Sequence, residues 1–305
     1  MMSARKTARR PADRWMGWAL GAAALAAPVL AQAAPMNLFY ERTVMTAADQ
    51  RCGLFAPEVG AALAAGQAQA RNTALRAGVD APALAAVERR ARAKVAQTPC
   101  HSPDLARAAS RVEDAFAGYA KLTRMSYPGD LAGWRADRGV GSTNRWRLAQ
   151  DATFGWDRMI FGLAGRGGEG ALLAVARFSD GRTPYAARLV MRDADHTLGP
   201  YLDVRGAGPD GRLPLARRMP PAAGLRTYAA EARSAAGRDL APKDWKDAWA
   251  FRFPAEAAHS LAALDPREAV AVEFVFAGDT DSVRRAYVEV GDFAPGRAFL
   301  QLAQR

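Results

Sequence analysis

The chain has 305 residues, half of them apolar, and a formal charge of +11 at pH 7. That supply of apolar side chains suits one large domain or two small ones. The surplus charge is scattered arginine with no long basic block and no basic stretch interleaved with aromatics, so a nucleic-acid surface is not expected.

The first segment, "MMSARKTARRPADR", is basic; the apolar run "WMGWALGAAALAAPVL" and the small-residue triplet Ala31-Gln32-Ala33 follow it. These are the three parts of a secretory signal peptide, and they predict residues 1–33 as the signal, cleaved after Ala33. Arg9-Arg10 invites a twin-arginine reading, but Pro11-Ala12-Asp13 stands where that signal wants apolar residues. An uncleaved anchor is the alternative, since residues 15–34 are about long enough to span a bilayer. Residues 1–33 carry Arg5, Lys6, Arg9, Arg10 and Arg14 against Asp13 alone, so cleavage lowers the formal charge from +11 to +7. No second long apolar run follows, so no transmembrane segment is expected after cleavage. The implied compartment is the periplasm or the exterior, where an envelope protein, a glycan or an anionic lipid is the expected kind of partner.

Residues 34–130 are rich in Ala, Arg, Leu and Gln and carry regular helix punctuation. A short helix is expected over 37–48. Pro57 and Glu58 open a second, running to 76 with Gly78 beyond it. Asp80 and Pro82 open a third, with Leu84, Val87, Ala91 and Val95 on one face as far as 97. Ser102 and Pro103 open a fourth, with Leu105, Val112, Phe116 and Tyr119 as its stripe, and "SYPGD" ends it. Cys52 precedes the second helix and Cys100 follows the third, so an antiparallel hairpin of those two helices brings both cysteines to one end. In an exported chain they are expected to form a disulfide. His101 beside Cys100 suggests a nucleophile and base, but adjacent side chains after Pro99 rarely converge, and two cysteines with three histidines leave a soft metal site short of ligands.

Residues 131–305 turn to aromatics, glycines and alternating patterns. Strands are expected over 144–150, 157–164, 171–178, 185–192, 225–232, 248–253, 269–276 and 284–290. Val270, Val272, Phe274 and Phe276 share a face, as do Trp249, Phe251 and Phe253, which implies strands with one buried side. "GRGGEG" at 165–170 spells a dinucleotide fingerprint, but the eight residues that follow are too few for a crossover helix, so it reads as a turn and no cofactor is expected. "SDGR" at 179–182 reads as a tight hairpin, and "AGDTDS" at 277–282 as another. "FPAEAAHSLAALDP" reads as a short helix between strands and "GDFAPGRAFLQLAQR" as a turn and terminal helix. Asp193, Asp195 and His196 are the one set of oxygen and nitrogen groups in a pattern that suits a divalent cation.

The expected fold is α+β: a disulfide-stapled helical hairpin or bundle, then an antiparallel β-sandwich or partly open barrel with short helices. The expected function is that of an exported, non-enzymatic binding module of a bacterial-type envelope, acting through the β-domain or across the junction of the two regions. The alternative is a metal-assisted hydrolase using Asp193, Asp195 and His196. A purely structural alternative has Trp134, Trp146 and Trp156 packing the junction.

Overall fold

The computed structural model describes residues 27–166, 170–207 and 212–302. Four helices come first: α1 (Ala27–Cys52), α2 (Pro57–Arg76), α3 (Ala81–Ala96) and α4 (Pro103–Lys121). The punctuation acts as expected. Asp80 accepts a hydrogen bond from the Ala83 amide at 2.7 Å, and Ser102 accepts one from Leu105 at 3.3 Å, each satisfying an amide that the first turn leaves without a partner. Gly78 takes φ +86° just past α2, a conformation that a side chain disfavours.

Helix α1 is longer than the expected 37–48. It passes through Ala33 and Pro35 without interruption, because the flanking residues are mostly Ala, Leu and Gln and favour helix. Most of the expected signal lies outside the described residues.

These helices take the bundle form of the expected disulfide-stapled region, with α2 and α3 paired to α1 and not to each other. Helix α1 lies between α2 and α3 and packs on both, whereas α2 and α3 hardly touch. Phe39 of α1 is fully buried with Ala70, Ala74 and Leu75 of α2 and with Leu84 and Val87 of α3. Helices α1 and α3 run in the same direction, so their ends meet, and there Cys52 and Cys100 form a disulfide with Cα atoms 5.6 Å apart. Beside it, Arg51 donates to the carbonyls of Val95 and Thr98 where α3 stops, the first of which also accepts from the Thr98 amide.

Eleven strands follow among the described residues: β1 (Arg124–Tyr127), β2 (Trp134–Asp137), β3 (Arg145–Phe154), β4 (Asp157–Gly165), β5 (Ala171–Arg177), β6 (Ala186–Arg192), β7 (Leu225–Ala229), β8 (Ala232–Ala235), β9 (Trp249–Arg252), β10 (Ala269–Phe276) and β11 (Ser282–Glu289). Helix α5 (Ala255–Ala262) sits between β9 and β10, and α6 (Phe293–Gln301) follows β11. All pairings are antiparallel. One sheet has the order β1-β2-β3-β4-β5-β9-β8 and the other β11-β10-β6-β7, packed as an open sandwich. Phe274 sits at the centre, 5.9 Å from the Phe154 ring centroid, 5.1 Å from Phe178 and 5.5 Å from Phe251.

Four features differ from the sequence reading. Strands β1 and β2 were not expected, and β1 begins ahead of residue 131. Both have only four residues, interrupted by polar ones, and give little periodicity to read. "SDGR" does make a turn, with Gly181 at φ +71° donating to the Phe178 carbonyl, but it carries the chain from one sheet to the other rather than into a hairpin. Strand β10 is buried on both faces: Val270, Val272, Phe274 and Phe276 face the core, while the segment around residues 216–222 covers Ala271 and Glu273. Trp156 is 88 % exposed at the two-residue tip between β3 and β4, whereas Trp134 is buried against Phe293 and Trp146 packs on the outer face of its sheet.

A buried carboxylate ties the edge of the sandwich together. Glu289, fully buried at the end of β11, accepts hydrogen bonds from the amides of Asp130, Leu131 and Ala132 at 2.7–2.8 Å. The turn between β1 and β2, read in sequence only as a helix breaker, thus closes around one side-chain carboxyl group. Trp134 and Gln150 donate to the main chain of the same residue.

Candidate functional site

Asp193, Asp195 and His196 follow β6 and do come together, but around an arginine. Arg226 of β7 lies 2.9 Å from Asp193 and 2.8 Å from Asp195, and His196 Nδ1 is 2.9 Å from the other oxygen of Asp193. The His196 hydrogen bond holds the Asp193 carboxyl below its ordinary value, with Arg226 adding to the effect. The cation these carboxylates neutralise is the guanidinium. Among the described residues no group of three or more His, Cys, Asp or Glu side chains is placed to hold a metal ion. "GRGGEG" joins β4 to its antiparallel neighbour β5, with Ala164 opposite Ala171, so no crossover helix follows it; its residues 167–169 lie outside the described residues.

Two clefts lie where helices meet the sandwich. The more polar, about 650 Å³, is lined at the end of α2 by Arg76, Arg212, Arg218, Arg267 and Asp130. Three of its cations are engaged. Arg76 grips both oxygens of Asp292 at 3.0 Å, Arg218 meets Asp130 at 3.0 Å, and Arg267 meets Asp265 at 2.9 Å. This cleft is a structural joint whose charges balance one another.

The second is a groove of about 310 Å³ between α2 and α4, floored by Met125 of β1. Its shape follows from residue sizes. Helix α2 presents Val59, Ala62, Leu63 and Gly66 on one face at helical spacing, three of them small or short. Helix α4 presents Val112, Ala115, Phe116 and Tyr119. Small residues facing large ones, on helices that touch along only part of their length, leave an open apolar channel. Of the expected α4 stripe only Leu105 is buried, in the helical core with Ala48 and Val95; Val112 and Phe116 stay half-buried along the channel wall.

The inner end is fixed by the β-domain. Tyr119 stands edge-on to Phe299 of α6 at 5.4 Å, and Arg138 lies 4.2 Å above the Phe299 ring while donating to the carbonyls of Tyr119 and Leu122. Burial raises the pKa of Tyr119, so its phenol stays protonated.

Arg42 of α1 enters from the side. Its Nη1 donates to the Gly66 carbonyl, and a Cβ at Gly66 would lie 3.4 Å from that nitrogen, so the glycine gives the guanidinium room. Burial lowers the Arg42 pKa, opposed by the neighbouring charge of Glu41, and no carboxylate lies within ion-pair distance of it among the described residues. Sequence reading missed Arg42, because a lone arginine in an amphipathic helix looks like any solvated residue. Its one signal is its position one residue before the buried Thr43, on the flank of the core face.

No protein-family model matches this chain, and neither a curated protein nor a solved structure resembles it.

Proposed function

We propose that the chain is an exported, non-enzymatic binding module of the cell envelope, and that its ligand seat is the groove between α2 and α4. The observation that carries this reading is the groove itself: an apolar channel at the junction of the helical layer and the sandwich, with Phe116, Val112 and Leu63 on its walls and a desolvated arginine at its side. Its volume lies at the lower end of the range of small-molecule sites.

Export is supported by Pro35 and by the disulfide. Inside α1 as it stands, Pro35 offers no amide to the helix. Cleavage after Ala33 would make Pro35 the second residue of the mature chain, in the first turn, where the missing amide costs nothing. Cys52–Cys100 suits an oxidising compartment. No described helix is long and apolar enough to cross a membrane.

Two measurements test the reading. The intact mass of protein recovered from cells should correspond to a chain beginning at Ala34; a mass retaining residues 1–33 would reject cleavage. The neutral apolar fluorophore N-phenyl-1-naphthylamine should brighten on adding the mature protein, and Ala62→Trp, which fills the groove, should abolish that signal while circular dichroism stays unchanged. Equal brightening with the filled variant would reject the groove as the seat.

A further inference from the structure

We infer that the occupant of the α2–α4 groove is a single alkyl chain ending in an anionic head group, of the fatty-acid class, with the head at Arg42 and the chain along Leu63, Val112 and Phe116. This deepens the groove reading above and rests on it.

The inference follows from how this chain treats its other buried arginines. Arg76, Arg192 and Arg218 have side chains less than one tenth exposed and face Asp292, Glu268 and Asp130, while the buried Arg138 donates to two main-chain carbonyls and the buried Arg147 donates to the Gly139 carbonyl with the Asp137 charge nearby. A guanidinium withdrawn from water is costly unless a counter-charge or a full set of acceptors meets it. Arg42 is half-buried and desolvated, yet its one hydrogen bond goes to the neutral carbonyl of Gly66. A guanidinium carries five N–H donors in a planar fork, and that contact uses one of its two terminal nitrogens.

The groove's lining adds the rest. It contains a second arginine, Arg111 on α4, and no aspartate or glutamate, so the cavity has a positive rim with no internal counter-charge. The remaining lining is apolar apart from Gln69 and the Tyr119 hydroxyl. An alkyl chain fills an apolar channel without leaving polar groups unsatisfied, and a carboxylate supplies the acceptor that Arg42 lacks. A neutral alcohol would satisfy the channel alone. A cationic amphiphile would place like charges together.

The test is a calorimetric titration of the mature protein with dodecanoate, dodecan-1-ol and dodecyltrimethylammonium, each below its micellar concentration. Dodecanoate should bind roughly tenfold tighter than either of the others, the size of one charge-assisted hydrogen bond. Arg42→Gln should remove that preference and leave dodecanol affinity unchanged, and Arg42→Lys should restore part of it. Equal affinities in the unaltered protein, or a preference that survives Arg42→Gln, would overturn the anionic head group while the groove reading stands. Should none of the three amphiphiles bind, or should their binding persist in Ala62→Trp, the groove reading itself falls.

Discussion

The helical layer and the sandwich solve the same problem with different materials. The helical core is built of Ala, Val and Leu around a single fully buried aromatic, Phe39, in clusters centred on α1. The sandwich core is one continuous cluster containing Phe161, Phe251, Phe274, Phe276, Phe293, Phe299 and Trp134. Large aromatic side chains withdraw far more apolar surface per residue than alanine, so burial is the main support of the sandwich. The helical layer has little to bury and adds a covalent link, arginine contacts at its helix ends and ionic ties to its neighbour. The Cys52–Cys100 disulfide therefore lies in the region with the thinner core, and the sandwich has none.

The sharpest way to break this contrast is at the sandwich centre. Phe274→Ala removes the ring that touches Phe154, Phe178 and Phe251, and a buried Phe→Ala change costs up to about 5 kcal/mol through lost transfer energy and the cavity left behind. Calorimetry should show the sandwich transition moving down steeply. A midpoint within a few degrees of the parent would mean that the core closes over the gap.

The staple comes next. Closing the 48-residue separation between Cys52 and Cys100 constrains the unfolded chain by about 4 kcal/mol on the chain-entropy estimate. Cys52→Ser with Cys100→Ser should therefore speed amide hydrogen exchange across α1, α2 and α3 while leaving β10 protected. Uniform acceleration through both regions would show that they unfold as one unit and that the contrast in core composition has no thermodynamic counterpart.

The same contrast explains what could be read from sequence. Helix starts were legible because capping is local: Asp80 and Ser102 each act within three residues of themselves. Six strands, β3 to β6, β10 and β11, were legible because alternation over seven to ten residues is a strong signal, whereas the expected strand 225–232 divides into the short β7 and β8 of different sheets; the disulfide followed from compartment and position. Helix partnership was not legible. Alanine-rich faces have weak hydrophobic periodicity, so nothing in α2 or α3 states that each prefers α1 to the other. The "SDGR" turn failed differently: its chemistry specifies a reversal, and the choice of sheet was made by distant strands. The groove was invisible for the reason helix partnership was, since a stripe such as Val112, Phe116 and Tyr119 records that a face is apolar but not how large its neighbour's side chains are. Glu289 left a faint trace as a lone acid in "AYVEV", an apolar strand end where a carboxylate must find donors if it is buried.

The smallest of these effects concerns the tie between the two regions. Arg76 of α2, with Asn72 one turn earlier, reaches across to Asp292, whose side chain has no solvent exposure; the three form hydrogen bonds of 2.9–3.0 Å. A buried ion pair contributes little beyond what an apolar contact would, yet removing one member strands the other's charge. Arg76→Ala should therefore cost about 3 kcal/mol, because Asp292 keeps only the Asn72 amide as a side-chain donor. Adding Asp292→Asn removes the stranded charge, so the double variant should be more stable than Arg76→Ala by about 1 kcal/mol or more in urea denaturation. If the double variant is instead the weaker of the two, the pair itself holds the helical layer to the sandwich. The layer would then depend on this contact as much as on its disulfide.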